Sequence, residues 1–330
     1  MTRDARQDRP FGLYPLVSPY ESGHLDVGDG HQLYWEACGD PEGLPAVFLH
    51  GGPGGGCSAD HRRFFDPERY NAILFDQRGC GRSRPHASLA CNTTRHLVED
   101  MERLRKARNL DRWLIVGGSW GSALALAYAQ QFPARVSGIL LRGVFTARAR
   151  ELRWLYSEGA SCLFPEAWAA FAQFIPPSER TDLVAAYHSR LDGSDVKMQR
   201  EAARAWCAWE TATMTLRPRL AQKVGAFEDD SLLALARIET HYFMNGAFLQ
   251  EGQLIGEAGR LAGVAGVIVQ GRYDCVTPPM TAWELHKAWP GCVLHLVPDA
   301  GHASSEPGVL RLLVESLSAF ADAARKQARG

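Results

Sequence analysis

"WLIVGGSWGSALALAYAQQF", residues 113–132, decides how this chain folds. It opens with a short apolar run, "WLIVGG", of the kind a strand buried on both faces carries. From Ser122 to Phe132 nearly every residue favours helix, and Pro133 stops the pattern. Between the two lies Gly117-x-Ser119-x-Gly121. Between a buried strand and a helix, G-x-S-x-G is the context of a nucleophile elbow, a tight turn that lifts the serine hydroxyl above the sheet. The small neighbours let that turn close without a Cβ clash. Out of context the pattern is weak, because glycine and serine are common loop residues. In this context a plain loop serine becomes the minor reading.

Runs of the same type recur on either side: "AVFLH" (46–50), "NAILFD" (71–76), "VSGILL" (136–141), "VAGVIVQG" (264–271) and "CVLHLVP" (292–298). None alternates apolar with polar, so both sheet faces are expected to be covered. "TTRHLVEDMERLRKARNL" (93–110) opens with a cap-like threonine and carries helical apolar spacing. Strand and helix in alternation predict an α/β fold, a parallel sheet wrapped on both sides. "LDVGDGHQLYWEAC" (25–38) predicts a hairpin turning at Asp29-Gly30. Roughly residues 147–250 carry no strand pattern and are rich in Ala, Trp, Arg and Glu. They read as a helical insertion that divides the α/β domain into a first part, 1–146, and a second, 251–330. "PGVLRLLVESLSAFADAARKQARG" (307–330) reads as a closing amphipathic helix with a frayed polar end.

The 330 residues are 46% hydrophobic and 22% charged, ample for a packed core. A net charge of −1 gives no steering toward nucleic acid or an anionic membrane. No apolar segment approaches the roughly 20 residues of a membrane span, and the first residues lack the apolar run of a secretion signal. Eight scattered cysteines without a C-x-x-C pair read as free thiols in a reducing compartment, so a cytoplasmic location is expected. Asn92-Thr-Thr matches a glycosylation sequon but reads as chance in that setting.

A serine is a poor nucleophile at neutral pH and needs a base, which needs an orienting acid. The elbow places them in the chain order Ser, Asp, His. "VIVQGRYDCVTP" ends a buried strand and delivers Asp274, and "LHLVPDAGHASSEP" delivers His302 in a glycine-flanked loop. Both follow strand C-termini, as Ser119 does, and open α/β sheets place their sites at that edge. Competing residues read as structural: Asp299 as loop-shaping, Asp76 as holding a turn with Arg78, His295 as a core histidine, His50 as a loop-backbone partner. "HGGPGGG" (50–56) could cradle a phosphate, but it lacks G-K-[ST] and does not open a helix as a dinucleotide fingerprint must. With an elbow in the chain, it reads instead as the early loop that supplies one N–H for a tetrahedral oxyanion, at Gly52. The other donor is the N–H of Trp120, the residue after the nucleophile. With no H-E-x-x-H and no Cys/His spacing that suits zinc, no metal or cofactor is expected.

"LYWEACGDPEGLPAVFLHGGPGGG", "FDQRGCGRS", "GGSWGSALALAYAQ", "RGVF", "HYF", "GRYD" and "AGHASSEP" together closely resemble the proline iminopeptidases. The likeness runs from about Tyr14 through the last helix and is more specific than the elbow alone. It implies an α/β-hydrolase fold with a mostly parallel sheet, a helical cap inserted over the site, and removal of N-terminal proline from small peptides without a metal. It also implies the triad Ser119, Asp274 and His302, which matches the residues derived above.

An aminopeptidase must hold a positively charged α-amine, and under a lid that calls for carboxylates. Glu210 stands four residues after Trp206, and Glu239 stands four before Phe243, so helical spacing puts both on apolar faces. Spacing alone leaves two readings open, an amine site or a structural salt bridge with an arginine. The resemblance implies the amine site, since that family uses two cap glutamates at such positions. Phe145 in "RGVF" and Tyr242 or Phe243 in "HYF" are candidates for a proline slot, or equally core aromatics. The alternatives are an esterase, amidase or lactonase with the same triad, or a non-catalytic binding protein on the same fold.

Overall fold

The computed structural model describes residues 12–217 and 229–327. One eight-stranded sheet forms its frame: β1 Glu21–Gly28, β2 His31–Gly39, β3 Leu44–Leu49, β4 Tyr70–Phe75, β5 Trp113–Ser119, β6 Val136–Val144, β7 Gly266–Gly271 and β8 Val293–Val297. Their order across the sheet is β1-β2-β4-β3-β5-β6-β7-β8. β1 and β2 form the antiparallel hairpin around Asp29-Gly30, and β2 joins β4 antiparallel; every other pairing is parallel.

The apolar runs become strands because their alternate residues serve two cores. Val47, Leu49, Ile73, Phe75, Trp113 and Ile115 enter one cluster. Ala46, Ala72, Leu74, Leu114 and Val116 enter the other. Against the first pack α1 (Thr94–Ala107), capped by the Thr93 side chain, and α2 (Trp120–Gln131). Between β6 and β7 the described residues form no strand. They make α3 (Ala149–Tyr156), α4 (Ala160–Leu163), α5 (Pro165–Gln173), α6 (Leu183–Leu191), α7 (Val196–Thr213), α8 (Asp229–Met244) and α9 (Gln253–Gly256). Aromatic rings glue these helices together: Phe171 stacks on Tyr187 at 4.6 Å, and Tyr156 stacks on Trp206 at 4.6 Å. After β7 comes α10 (Pro279–Ala288), on the first cluster. The closing helix α11 (Pro307–Gln327) covers the second with Leu310, Leu313 and Leu317. No described helix is long and apolar enough to cross a membrane.

Two expectations are corrected. β8 is not covered on both faces: Val293 is exposed, His295 is half-buried rather than a core residue, and only Val297 is buried. The strand is the sheet's edge, with a single neighbour. Asp76 does not hold Arg78. It accepts from Arg82 Nε at 2.8 Å and from the Cys57 N–H at 2.7 Å. Arg78 instead reaches Asp100 through two bonds, 2.6 and 2.8 Å long. The turn between the two arginines sends their side chains to different partners.

Candidate active site

Ser119 sits where β5 hands over to α2, at φ 56° and ψ −126°. A non-glycine residue there stores about 1–3 kcal/mol of backbone strain. The strain is held by the strand behind and the helix ahead. A Cβ on Gly121 would run into the Leu49 carbonyl oxygen, so the G-x-S-x-G spacing is steric before it is chemical. Ser122 Oγ donates to the Ser119 carbonyl at 2.6 Å and accepts from the Phe145 N–H at 2.9 Å, tying the elbow to the end of β6.

The loop after β8 brings His302 Nδ1 to 2.8 Å from Asp274 Oδ2, in the loop after β7. Asp274 is fully engaged. It accepts from Gln270 Nε2 (2.9 Å), Thr277 Oγ1 (3.0 Å) and the N–H groups of Val276 (3.0 Å) and Thr277 (2.8 Å). The other face of the imidazole meets Arg142, whose Nη1 lies 3.0 Å from Nε2 and donates to the His302 carbonyl at 2.9 Å. Ser119 Oγ makes no hydrogen bond among the described residues. Burial holds the His302 imidazole below the usual histidine range; Asp274 opposes this and Arg142 adds to it. Sequence reasoning missed Arg142, Gln270 and Thr277. Arg142 carried a signal, the one charge in the apolar run "VSGILLRGV".

The "HGGPGGG" loop lies against the elbow: a Cβ on Gly51 would be 3.4 Å from Ser119 Cβ. His50 ties the loop together. Its ring nitrogens meet the Gly51 carbonyl (2.9 Å), the Gly56 N–H (3.2 Å) and the Gln77 N–H (3.0 Å). The Trp120 indole donates to Gln77 Oε1 at 2.9 Å. Trp120 also opens α2, where a backbone N–H has no partner inside the helix. Gly52 and Ser119 both line a cavity of about 700 Å³.

Glu210 on α7 and Glu239 on α8 line the same cavity. Trp206 Nε1 donates to Glu239 Oε2 at 2.7 Å, and Tyr156 Oη donates to Glu210 Oε1. Tyr156 was not singled out by sequence. Burial pushes both carboxyl groups above the usual range, and the charge of Glu210 pushes Glu239 further. Among the described residues neither has an ion-pair partner, so the structural salt bridge that spacing left open is not formed. Phe145 and Phe243 line the cavity with ring centroids 6.0 Å apart. Tyr242 does not. One step around α8, it packs edge-on against Trp120 at 4.9 Å and donates its hydroxyl to Asn92 Oδ1 at 2.9 Å. Asn92 itself is buried, which agrees with a sequon by chance.

A serine on a strand-to-helix elbow, with an Asp–His pair delivered by the last two strands of a mostly parallel sheet, defines an α/β hydrolase. The model of the alpha/beta hydrolase fold family matches residues 45–309. The chain is 51% identical to a proline iminopeptidase of Arabidopsis thaliana over 92% of its own length and 80% of the relative's. It is also 51% identical to that of Xanthomonas citri, over 94% and 99%. The chain belongs to the proline iminopeptidase family. The solved proline iminopeptidase of Mycobacterium smegmatis shares the fold at a TM-score of 0.60 and 19% identity, over 92% of this chain and 100% of that one.

Proposed function

We propose that this chain is a serine aminopeptidase that releases proline from the N-terminus of peptides. The observation that carries the reading is the Glu210–Glu239 pair, Glu239 buried and Glu210 half-buried, without a cation of its own among the described residues, in the cavity that also holds Ser119 and His302. A buried carboxyl pair is costly unless something positive completes it. The protonated amine of an N-terminal proline does so, and Phe145 and Phe243 offer its ring an apolar wall.

The chemistry follows from the same groups. Ser119 Oγ attacks the proline carbonyl carbon while its proton passes to His302 Nε2. Asp274 keeps the other imidazole proton on Nδ1 and stabilises the imidazolium. The N–H groups of Gly52 and Trp120 receive the oxyanion. The C–N bond then breaks, and His302 returns its proton to the leaving amine. Water cleaves the resulting ester by the same relay, which frees proline and restores Ser119. Arg142 must release Nε2 for this to begin. Helices α3–α8 act as the cap that measures the amine's distance from Ser119, which restricts cleavage to the first residue.

The test is a pair of substrates, a proline arylamide and an aryl ester without an amine. Ser119→Ala should abolish turnover of both. Glu210→Gln or Glu239→Gln should lower kcat/KM on the arylamide by about 10²-fold or more, the loss of a buried charge contact of about 3–5 kcal/mol. The ester should suffer less than about tenfold. Equal losses on the two substrates would identify an esterase or amidase instead.

A further inference from the structure

We propose that Asp29, Cys91 and His96 form a binding site for one thiophilic divalent metal ion of the zinc class. None of the three lines the Ser119 cavity. They come from separate segments: the β1–β2 turn, the loop before α1, and the first turn of α1. That separation is why no Cys/His spacing in the sequence announced them. One ligand atom from each lies within 4.8 Å of the others. Zinc–ligand bonds of about 2.0–2.3 Å need only side-chain adjustment from there.

The residues behind the trio orient it. Arg78 Nη1 donates to Asp29 Oδ2 at 3.1 Å and to the Cys91 carbonyl at 2.7 Å, so one nitrogen positions both segments. The guanidinium is itself fixed by its two bonds to buried Asp100. His96 Nδ1 lies 2.8 Å from Thr93 Oγ1. With Nδ1–H donating there, Nε2 carries the lone pair a metal needs, the arrangement that supports histidine ligands generally. A carboxylate and a thiolate together neutralise a divalent ion, while Asp100 answers the charge of Arg78. Asp29 and Cys91 are exposed and His96 is half-buried, which leaves an entry path and room for water as a further ligand. The thiolate and imidazole favour zinc, cobalt or cadmium over magnesium or calcium. An ion here would pin the hairpin to the start of α1. It would also stiffen Asn92, which receives Tyr242 of α8.

The test uses the full chain stripped of metal with a chelator and titrated with cobalt(II). One equivalent should bind and give a thiolate-to-cobalt charge-transfer band. Cys91→Ser should abolish the band, and His96→Gln or Asp29→Asn should weaken binding by about tenfold or more. A measurement on the unaltered protein guards against misfolded variants. Stoichiometric zinc should protect Cys91 from alkylation and leave Cys162, the other exposed free thiol among those described, unprotected. A band that survives Cys91→Ser, equal alkylation of the two thiols, or no binding by the unaltered chain would overturn the site.

Discussion

Gly143 shows how a residue without a side chain governs a proposed catalytic pair. It lies just before the end of β6 with φ 54°, and a Cβ there would stand 2.7 Å from His302 Cε1 and 2.9 Å from Nδ1. Substitution by alanine therefore meets two obstacles, a left-handed backbone and an occupied space. The imidazole is the neighbour that must yield, because Asp274 is held in place by four other donors. Gly143→Ala should lower kcat/KM by about 10²-fold, the order of effect of a 1 Å displacement of a reacting group. Unlike the cap-glutamate variants, it should do so equally on a proline arylamide and an aryl ester. Steady-state kinetics on both substrates checks this, and unchanged rates would show that His302 does not need the space. This contact was not legible in the sequence. "RGVF" reads as the close of an apolar run, but only the fold brings position 143 against position 302. The triad candidates themselves were legible, because each ends an apolar run and two of the three lie among glycines.

At the scale of elements, the candidate site is assembled by linking α7 to the loop that carries His302. The N–H groups of His302 and Ala303 both donate to the carbonyl of Met214, just past the end of α7, at 3.0 and 2.9 Å. Two residues on, the Leu216 N–H donates to Glu306 Oε1 at 2.8 Å, beside the start of α11. The helix bearing Glu210 is thus tied by backbone bonds to the loop bearing His302. Glu306→Ala removes one of these ties, with a stability loss of about 1–3 kcal/mol. It should raise KM for a proline arylamide several-fold and lower kcat on both substrates. Glu306→Gln keeps an acceptor oxygen and should restore most of the loss. Kinetics alongside thermal melts separate this from general unfolding, and an inert Glu306→Ala would refute the link. The elements themselves were readable because buried strands and capped helices are local patterns: Thr93 does cap α1, and Asp29-Gly30 does turn the hairpin. Their partners were not. Sequence proximity pairs Arg78 with Asp76, whereas the fold offers it Asp100 from α1. Tyr156 lies in α3, and nothing in "ELRWLYSEGA" says that its ring will stack on Trp206 or its hydroxyl reach Glu210.

For the whole molecule, the carboxyl pair in the cavity sets proposed function against stability, with a sign that pH exposes. Glu210 and Glu239 are both raised above the usual carboxyl range when folded, chiefly by burial. In the unfolded chain they titrate near about 4.3. Below that value both states keep their protons, and the pair places no pH-linked burden on the fold. As pH rises past it, the unfolded chain releases protons that the folded chain retains, so this contribution to stability falls with pH until the folded groups also ionise. His302 works in the opposite direction. Its folded value is lowered, so its contribution rises with pH up to about 6.5 and then levels off. Glu239→Gln deletes the Glu239 share of the first effect, keeps that of Glu210, and leaves the second. The variant should melt close to the parent at about pH 4 and progressively above it toward pH 7, by on the order of 2–4 °C for each kcal/mol regained. Calorimetry across that range checks the divergence. A small amine such as prolinamide should close the gap by stabilising the parent, whose carboxyl pair it would complete, far more than the variant. A melting difference independent of pH would mean that the pair is not strained by its burial, and the cavity would lose its main reason for binding a cation.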